Sequence, residues 1–426
     1  MNNVFNELQQ RGFIEQSTDE KAIKELLEKE KVCCYIGFDP TASSLHIGNL
    51  VQIMTLVHMQ RYSHFTIVVA GAGTALIGDP SGKTEMRKML TVEDIENNTV
   101  SLKKQLSQFI SFEDNKGIML NNADWLRGLN YIDFLRDIGR FFSVNKMLTA
   151  ECFKSRLEKG LSFLEFNYML LQSYDFLVLN QKYNCKLQLG GSDQWGNIVA
   201  GIELIRRVEQ KEVYGMTSPL VTTSSGTKMG KTEKGTVWLD KNMTSPYNFY
   251  QYWRNVDDKD VIRFLKLFTF IPLDKINELS LLKYEELNKV KQILAFSVTK
   301  IAHTQKDALN SLCAELELFG GDKETVFNIL KDIGEDINLD NVESSTPYIE
   351  IEATKLKEGI KLLDILIETN LCSSKGDARR LITQGGVYIN DNRIENNEYI
   401  VTDKDLKNNS ILLRIGKKKF LRIRMI

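Results

Sequence analysis

The chain has 426 residues, 42% hydrophobic and 26% charged, with a formal net charge of −1. That balance is ordinary for a globular protein, and the length is too great for a single core, so two or three domains are expected. The six cysteines have no C-x-x-C spacing and there are only four histidines, which argues against a disulfide framework or a resident metal site. No apolar run approaches the ~20 residues a membrane helix needs, and the acidic, amphipathic N-terminal stretch lacks a signal peptide's apolar region. A cytoplasmic protein with no membrane partner is the expectation. The charge is uneven: Ile360–Ile426 holds 13 Lys/Arg against 8 Asp/Glu, the remainder 42 against 48. A basic tail on an acidic body points to a polyanionic partner at the C-terminal end.

In chain order, Val32–Phe38 (VCCYIGF) reads as a short buried strand closed by Asp39-Pro40. Apolar residues at helical spacing from Leu50 to Met59 predict a helix after His46. Phe65–Ala70 (FTIVVA) is a second buried strand, followed by the glycine-rich Gly71–Gly82, and helical patterns recur over Val92–Ile110 and Tyr131–Ile138. Continuous apolar strands alternating with helices predict a doubly wound parallel α/β sheet. Ligands on such sheets bind at the carboxyl ends of the strands, where Asp39, Gly71–Gly82 and Gly190–Gln194 fall. The expected division is a Rossmann-like catalytic domain over 1–231, a helical domain over 232–335, a linker over 336–358 and a small α+β domain over 359–426. Within the last, Leu363–Leu381 reads as helical, with strand-like VYIND and SILLRI around Gly385-Gly386.

Two glycine-rich patterns fail on inspection. Gly71–Thr84 would be a phosphate-binding P-loop if position 77 were glycine, but it is Ile77; the dinucleotide fingerprint fails at Leu76. Two other segments carry more. H-I-G-N (His46–Asn49) stands where a strand turns into a helix, and helix N-termini present N–H groups to anions. K-M-G-K-T (Lys228–Thr232) lies in a polar, glycine-rich loop whose lysines can close on developing phosphoryl charge. Taken alone, the first is a structural histidine and the second a solvated surface loop. Together and in this order they resemble the paired nucleotide-binding signatures of class I aminoacyl-tRNA synthetases, aimed at one triphosphate.

The resemblance extends over nearly the whole chain. YIGFDPTASSLHIGN (Tyr35–Asn49), LIGDPSGK (Leu76–Lys83), YMLLQSYDF (Tyr168–Phe176), LGGSDQWGN (Leu189–Asn197) and KMGKT are similar, in family order, to the bacterial-type tyrosyl-tRNA synthetases. Leu363–Asp391 is similar to the RNA-binding module named after a small-subunit ribosomal protein. The resemblance implies that Tyr35 and Asp175 hold a tyrosine phenol, with Tyr168, Gln172, Asp79 and Gln194 on the rest of the amino acid. It implies catalytic roles for Thr41, His46, Lys83, Arg87, Lys228 and Lys231 as stabilisers of phosphoryl charge, not as acids or bases. Gly37, Asp39, Gly48, Asn49, Gly191 and Asp193 would line the ATP site with His46 and Lys231, and Lys375, Arg379 and Arg380 would contact tRNA. Asn49 replaces the signature's commoner second histidine, and Ile36 stands where some relatives have cysteine.

The spacing of YMLLQSYDF agrees with that reading. Tyr168 and Gln172, four apart, share a helix face, and Asp175 three further on reaches the same pocket. A buried Tyr/Asp pair facing a phenol is left with unpaired polar groups if phenylalanine binds instead. The implied reaction joins L-tyrosine, ATP with Mg²⁺, and tRNA-Tyr, in a homodimer that needs no organic cofactor. The alternatives are a tryptophanyl enzyme of the same fold, for which a phenol pair is out of place, a P-loop kinase, excluded by Ile77, and a non-enzymatic RNA-binding relative, which would be free to lose His46 and the loop lysines.

Overall fold

The structure, a computed structural model, describes residues 3–81, 89–150, 153, 156–158, 160–224, 226, 229–232, 235–319, 323–335, 337, 348–369, 371–390, 392–407, 410–416 and 419–426. Two compact units are present: residues 1–304 with 332–335, and residues 305–331 with 336–426. Helices Gln305–Phe319 and Lys323–Asp332, read in the sequence as the end of the 232–335 region, fall almost entirely in the second unit.

The first unit is built on six strands: β1 (Gln16–Ser17), β2 (Cys33–Phe38), β3 (Phe65–Ala70), β4 (Gly117–Asn121), β5 (Cys185–Gly191) and β6 (Tyr214–Ser218). Their order is β1-β6-β5-β2-β3-β4, parallel throughout except for the antiparallel edge pair β1–β6. The expected doubly wound sheet is present, with that edge strand as an addition. β3 is buried along nearly its whole length because helices cover both faces, which is why its sequence is a continuous apolar run. The chain winds outward from β2 through β3 to β4, then returns to β5 on the other side of β2. The switch point therefore lies between β2 and β5, where Tyr35 pairs with Gln188.

The helix Phe163–Tyr183 packs over that switch point. Ser162 opens it with a capping box to Glu165, and Asn184 closes it in the left-handed region at φ 51°. Glu165 also forms a buried ion pair with Arg156, at 3.0 Å, which fixes the start of the helix. The helix expected after His46 is preceded by a single 3₁₀ turn, Ile47–Asn49, and then runs over Leu50–Arg61. Beyond the sheet the first unit is helical, with Pro246–Arg254, Val261–Phe268 and Glu285–Ala302 enclosing the buried rings of Trp253, Phe264 and Phe268.

The second unit's sheet runs Asn392–Ile394, Val387–Ile389, Ser410–Ile415, Lys419–Met425, Tyr348–Ile351, with only the last pair parallel. Within the stretch read as linker, Tyr348–Ile351 is thus a strand and Ala353–Glu358 a short helix, while 338–347 lies outside the described residues. The single helical segment expected over Leu363–Leu381 is two helices, Leu362–Glu368 and Lys375–Thr383, because Ser374 caps a fresh N-terminus on Asp377 N–H. Leu366, Ile382, Val387 and Ile411 form the core between helices and sheet.

Candidate active site

A cavity of about 810 Å³ opens at the carboxyl ends of β2 and β5. Tyr35, Gly37, Asp39, Thr41, His46, Gly48, Asn49, Asp79, Tyr168, Gln172, Asp175, Gly191, Asp193 and Gln194 all line it. Of the remaining residues expected in the catalytic unit, Lys83, Arg87 and Lys228 lie outside the described residues, and Lys231 is described in its backbone alone, which pairs with Thr236.

One end of the cavity is held by side chains. Asp175, 4% exposed, accepts hydrogen bonds from Trp125 Nε1 at 2.7 Å and Asn122 Nδ2 at 3.0 Å. Burial pushes its carboxyl up to about 7, against those two donors, with nearby Asp39 adding to the rise. Tyr35, 2% exposed, has a hydroxyl with no partner, and burial followed by the charge of Asp175 holds its phenol well above the ordinary value. Gln172 Oε1 and Gln188 Oε1 are buried without a partner as well. Unsatisfied buried polar atoms are costly, so three of them around one cavity mark where a ligand's polar groups belong.

Farther along, Asp39 accepts from the Tyr168 hydroxyl at 3.2 Å and from Thr74 Oγ1 at 3.0 Å. A Cβ on Gly71 would come within 2.2 Å of the Asp39 carboxylate, so that glycine admits it. Asp79 accepts from Gln194 Nε2 at 2.7 Å and from Ser81 N–H at 2.9 Å, and Asn197 supports Gln194 from the next helical turn. Asp79 is thus a further carboxylate lining the same cavity as Tyr168 and Gln172, with donors on both oxygens.

The other end is made of backbone and the two signature segments. His46 caps the 3₁₀ turn: its Nδ1 accepts from Gly48 N–H at 3.0 Å, and its own N–H is accepted by Asn49 Oδ1 at 3.1 Å. With Nδ1 an acceptor, the ring proton sits on Nε2, which makes the imidazole a donor there. The loop carrying the second signature folds onto this turn. A Cβ on Gly48 would lie 2.7 Å from the His46 ring and 3.0 Å from the Met229 carbonyl oxygen; one on Gly230, at φ +96°, would lie 2.9 Å from His46 Nδ1. Ile47 N–H donates to Val237 at 3.1 Å and Leu239 N–H to Leu45 at 2.9 Å, so the segment after the loop is stitched to the first signature. The two segments join one site, and glycine is required at their contact.

Asn122, Trp125 and Thr74 belong to the site and are absent from the sequence reading. Asn122 follows the last residue of β4, a strand end like Asp39, and position on the sheet was the signal that could have found it. Thr74 lies inside the glycine-rich stretch dismissed as a failed P-loop.

Residues 27–319 match the family model described as tRNA synthetases class I (W and Y), and residues 338–423 match a tyrosine–tRNA ligase SYY-like C-terminal domain. The chain belongs to the class I tRNA synthetases. This synthetase is 54% identical over 426 residues, all of both chains, to a tyrosine–tRNA ligase of Acetivibrio thermocellus. It is 53% identical over 99% of both chains to one from Clostridium botulinum. Among solved structures, a C-terminally truncated mitochondrial tyrosyl-tRNA synthetase of Aspergillus nidulans superposes with a TM-score of 0.67 at 27% identity, over 75% of this chain and 95% of that one. Its counterpart from Coccidioides posadasii gives 0.64 at 29% identity, over 74% and 92%.

Proposed function

We propose that this synthetase activates L-tyrosine with ATP to tyrosyl-adenylate and transfers the tyrosine to the 3′ end of tRNA-Tyr. The observation that carries the amino-acid assignment is the partnerless Tyr35 hydroxyl facing buried Asp175. The substrate phenol donates to the Asp175 carboxylate and accepts from Tyr35, which pairs both buried groups at once. Phenylalanine strands them, and tryptophan brings no hydroxyl to the pair. The substrate ammonium is held by Asp79, the Tyr168 oxygen and Gln172 Oε1, with Gln194 keeping Asp79 in place.

The tyrosine carboxylate attacks the α-phosphate of Mg²⁺·ATP in line, and pyrophosphate leaves. No group of three or more His, Cys, Asp or Glu is gathered for a metal among the described residues; the Mg²⁺ comes as part of the nucleotide substrate. His46 donates from Nε2 to phosphate oxygens beside Thr41, while Lys83, Arg87, Lys228 and Lys231 close on the developing charge. Gly37, Asp39, Gly48, Asn49, Gly191 and Asp193 line the nucleotide. This is catalysis by positioning and charge stabilisation. A terminal ribose hydroxyl of the tRNA then attacks the adenylate carbonyl carbon and AMP departs.

The helical region helps hold the tRNA, and the C-terminal domain over 359–426 holds it through Lys375, Arg379 and Arg380. Lys375 and Arg380 are ion-paired to Asp364 and Asp377, at 2.9 and 2.8 Å, so RNA phosphates compete with local carboxylates there. The synthetase works in the cytoplasm as a homodimer. Tyr131, Ile132, Val144 and Phe163 are large apolar side chains each more than half exposed in the single chain, which supports that assembly.

The testing experiment is ATP–pyrophosphate exchange with tyrosine, phenylalanine and tryptophan in parallel. Exchange with tyrosine alone is expected. Exchange with tryptophan would transfer the chain to the sister specificity, and none from folded protein would favour a non-catalytic RNA-binding role.

A further inference from the structure

We infer that Asp260 and Arg263, outside the cavity, are positioning residues for the loop that carries the second signature. The inference rests on the activation reaction proposed above. Asp260 stands where the 3₁₀ turn Asp258–Asp260 runs into the helix Val261–Phe268, and it is 3% exposed. Its Oδ2 accepts from Ser224 N–H at 2.7 Å, and its Oδ1 accepts from Arg263 Nη2 at 3.0 Å. The same Arg263 nitrogen donates to the Thr222 carbonyl, and its guanidinium lies 5.1 Å from the Phe264 ring centre. Thr222 and Ser224 form the stem from which the chain runs to Lys228.

The far side of the loop is tied differently. Met229 N–H donates to Val221 at 2.9 Å, and Gly230 rests on His46. The loop is thus clamped at its base by a buried carboxylate and an arginine from the helical part of the unit, and at its exit by the first signature. Neither Asp260 nor Arg263 lines the cavity, so they act only through where they hold the loop. Charge-assisted bonds of this kind are short and directional, suited to fixing one backbone path. The same contact couples the helix Val261–Phe268 to the catalytic loop.

The test uses full-length protein with Arg263→Ala, tolerable because the side chain is 46% exposed, and the near-isosteric Asp260→Asn. Losing a charge-assisted bond predicts a fall of roughly 10- to 100-fold in kcat/KM for ATP in pyrophosphate exchange. Tyrosine affinity measured without ATP should stay within about twofold, since its pocket stands on other elements. Arg263→Lys should recover part of the loss. Unchanged ATP kinetics in both variants, or equal loss of tyrosine binding and ATP kinetics, would overturn the inference. Absence of exchange in the unaltered protein would instead strike the reading beneath it.

Discussion

The two ends of the cavity are built from different materials. Around Asp175 and Tyr35 the functional atoms belong to buried or half-buried side chains on a strand, a long helix or the segment after β4, and each donor is within 3.0 Å of the carboxylate. Around His46 the site is made of backbone N–H groups, two glycines and a loop resting on an imidazole. The first end is held in place by side-chain hydrogen bonds and the second is assembled from segments that meet; in the proposed reaction the first selects the amino acid and the second stabilises charge. Rigid recognition tolerates no vacancy, whereas an assembled site depends on close contact between its parts.

The largest expected effect breaks the rigid end. Asp175→Ala removes the buried acceptor and should lower kcat/KM for tyrosine by about 10²–10³-fold, with phenylalanine barely affected. Comparing both amino acids in pyrophosphate exchange checks this, and equal losses would deny Asp175 its selective role. Next comes the assembled end. Gly230→Ala imposes a left-handed backbone and a clash on His46, so the activation rate should fall by roughly 10- to 100-fold while tyrosine affinity holds.

A pH titration sharpens the contrast further. Burial raises the Asp175 carboxyl to about 7, so it gains a proton as pH falls through that value and ceases to accept the phenol. Tyrosine affinity should drop about tenfold between pH 8 and 6, and binding should flatten in Asp175→Asn. The stability sign is opposite: a carboxyl raised on folding favours the fold at low pH, and that contribution is lost as pH rises from about 4 to 7. The smallest effect concerns the second unit. Replacing Lys375, Arg379 and Arg380 by alanine should leave adenylate formation intact and weaken tRNA charging by a few fold, with a shallower salt dependence. Unchanged salt dependence would remove these residues from the RNA surface.

Legibility in the sequence followed the same division. β3 and the helix bearing Tyr168, Gln172 and Asp175 were readable because burial on all sides writes continuous apolar runs and because three polar residues at helical spacing interrupt one of them. The two short motifs point to one shared site for His46–Asn49 and Lys228–Thr232, but no local pattern states that a Cβ on Gly230 would collide with His46. Asn122 and Trp125 escaped because they cap and occupy a single helical turn, Ala123–Leu126, too short to show a periodicity, and only the folded sheet brings them to Asp175. Tyr348–Ile351 escaped for a related reason: an edge strand of four residues that pairs with the distant Lys419–Met425 carries almost no signal of its own.

The most direct test of divided labour pairs His46→Ala with Asp175→Asn and measures, for each, the tyrosine dissociation constant and the rate constant of adenylate formation. His46→Ala is expected to slow adenylate formation by about 10²-fold with tyrosine binding unchanged, and Asp175→Asn to weaken tyrosine binding first. Equal loss of binding and rate in His46→Ala would contradict the assignment of that end of the cavity to charge stabilisation.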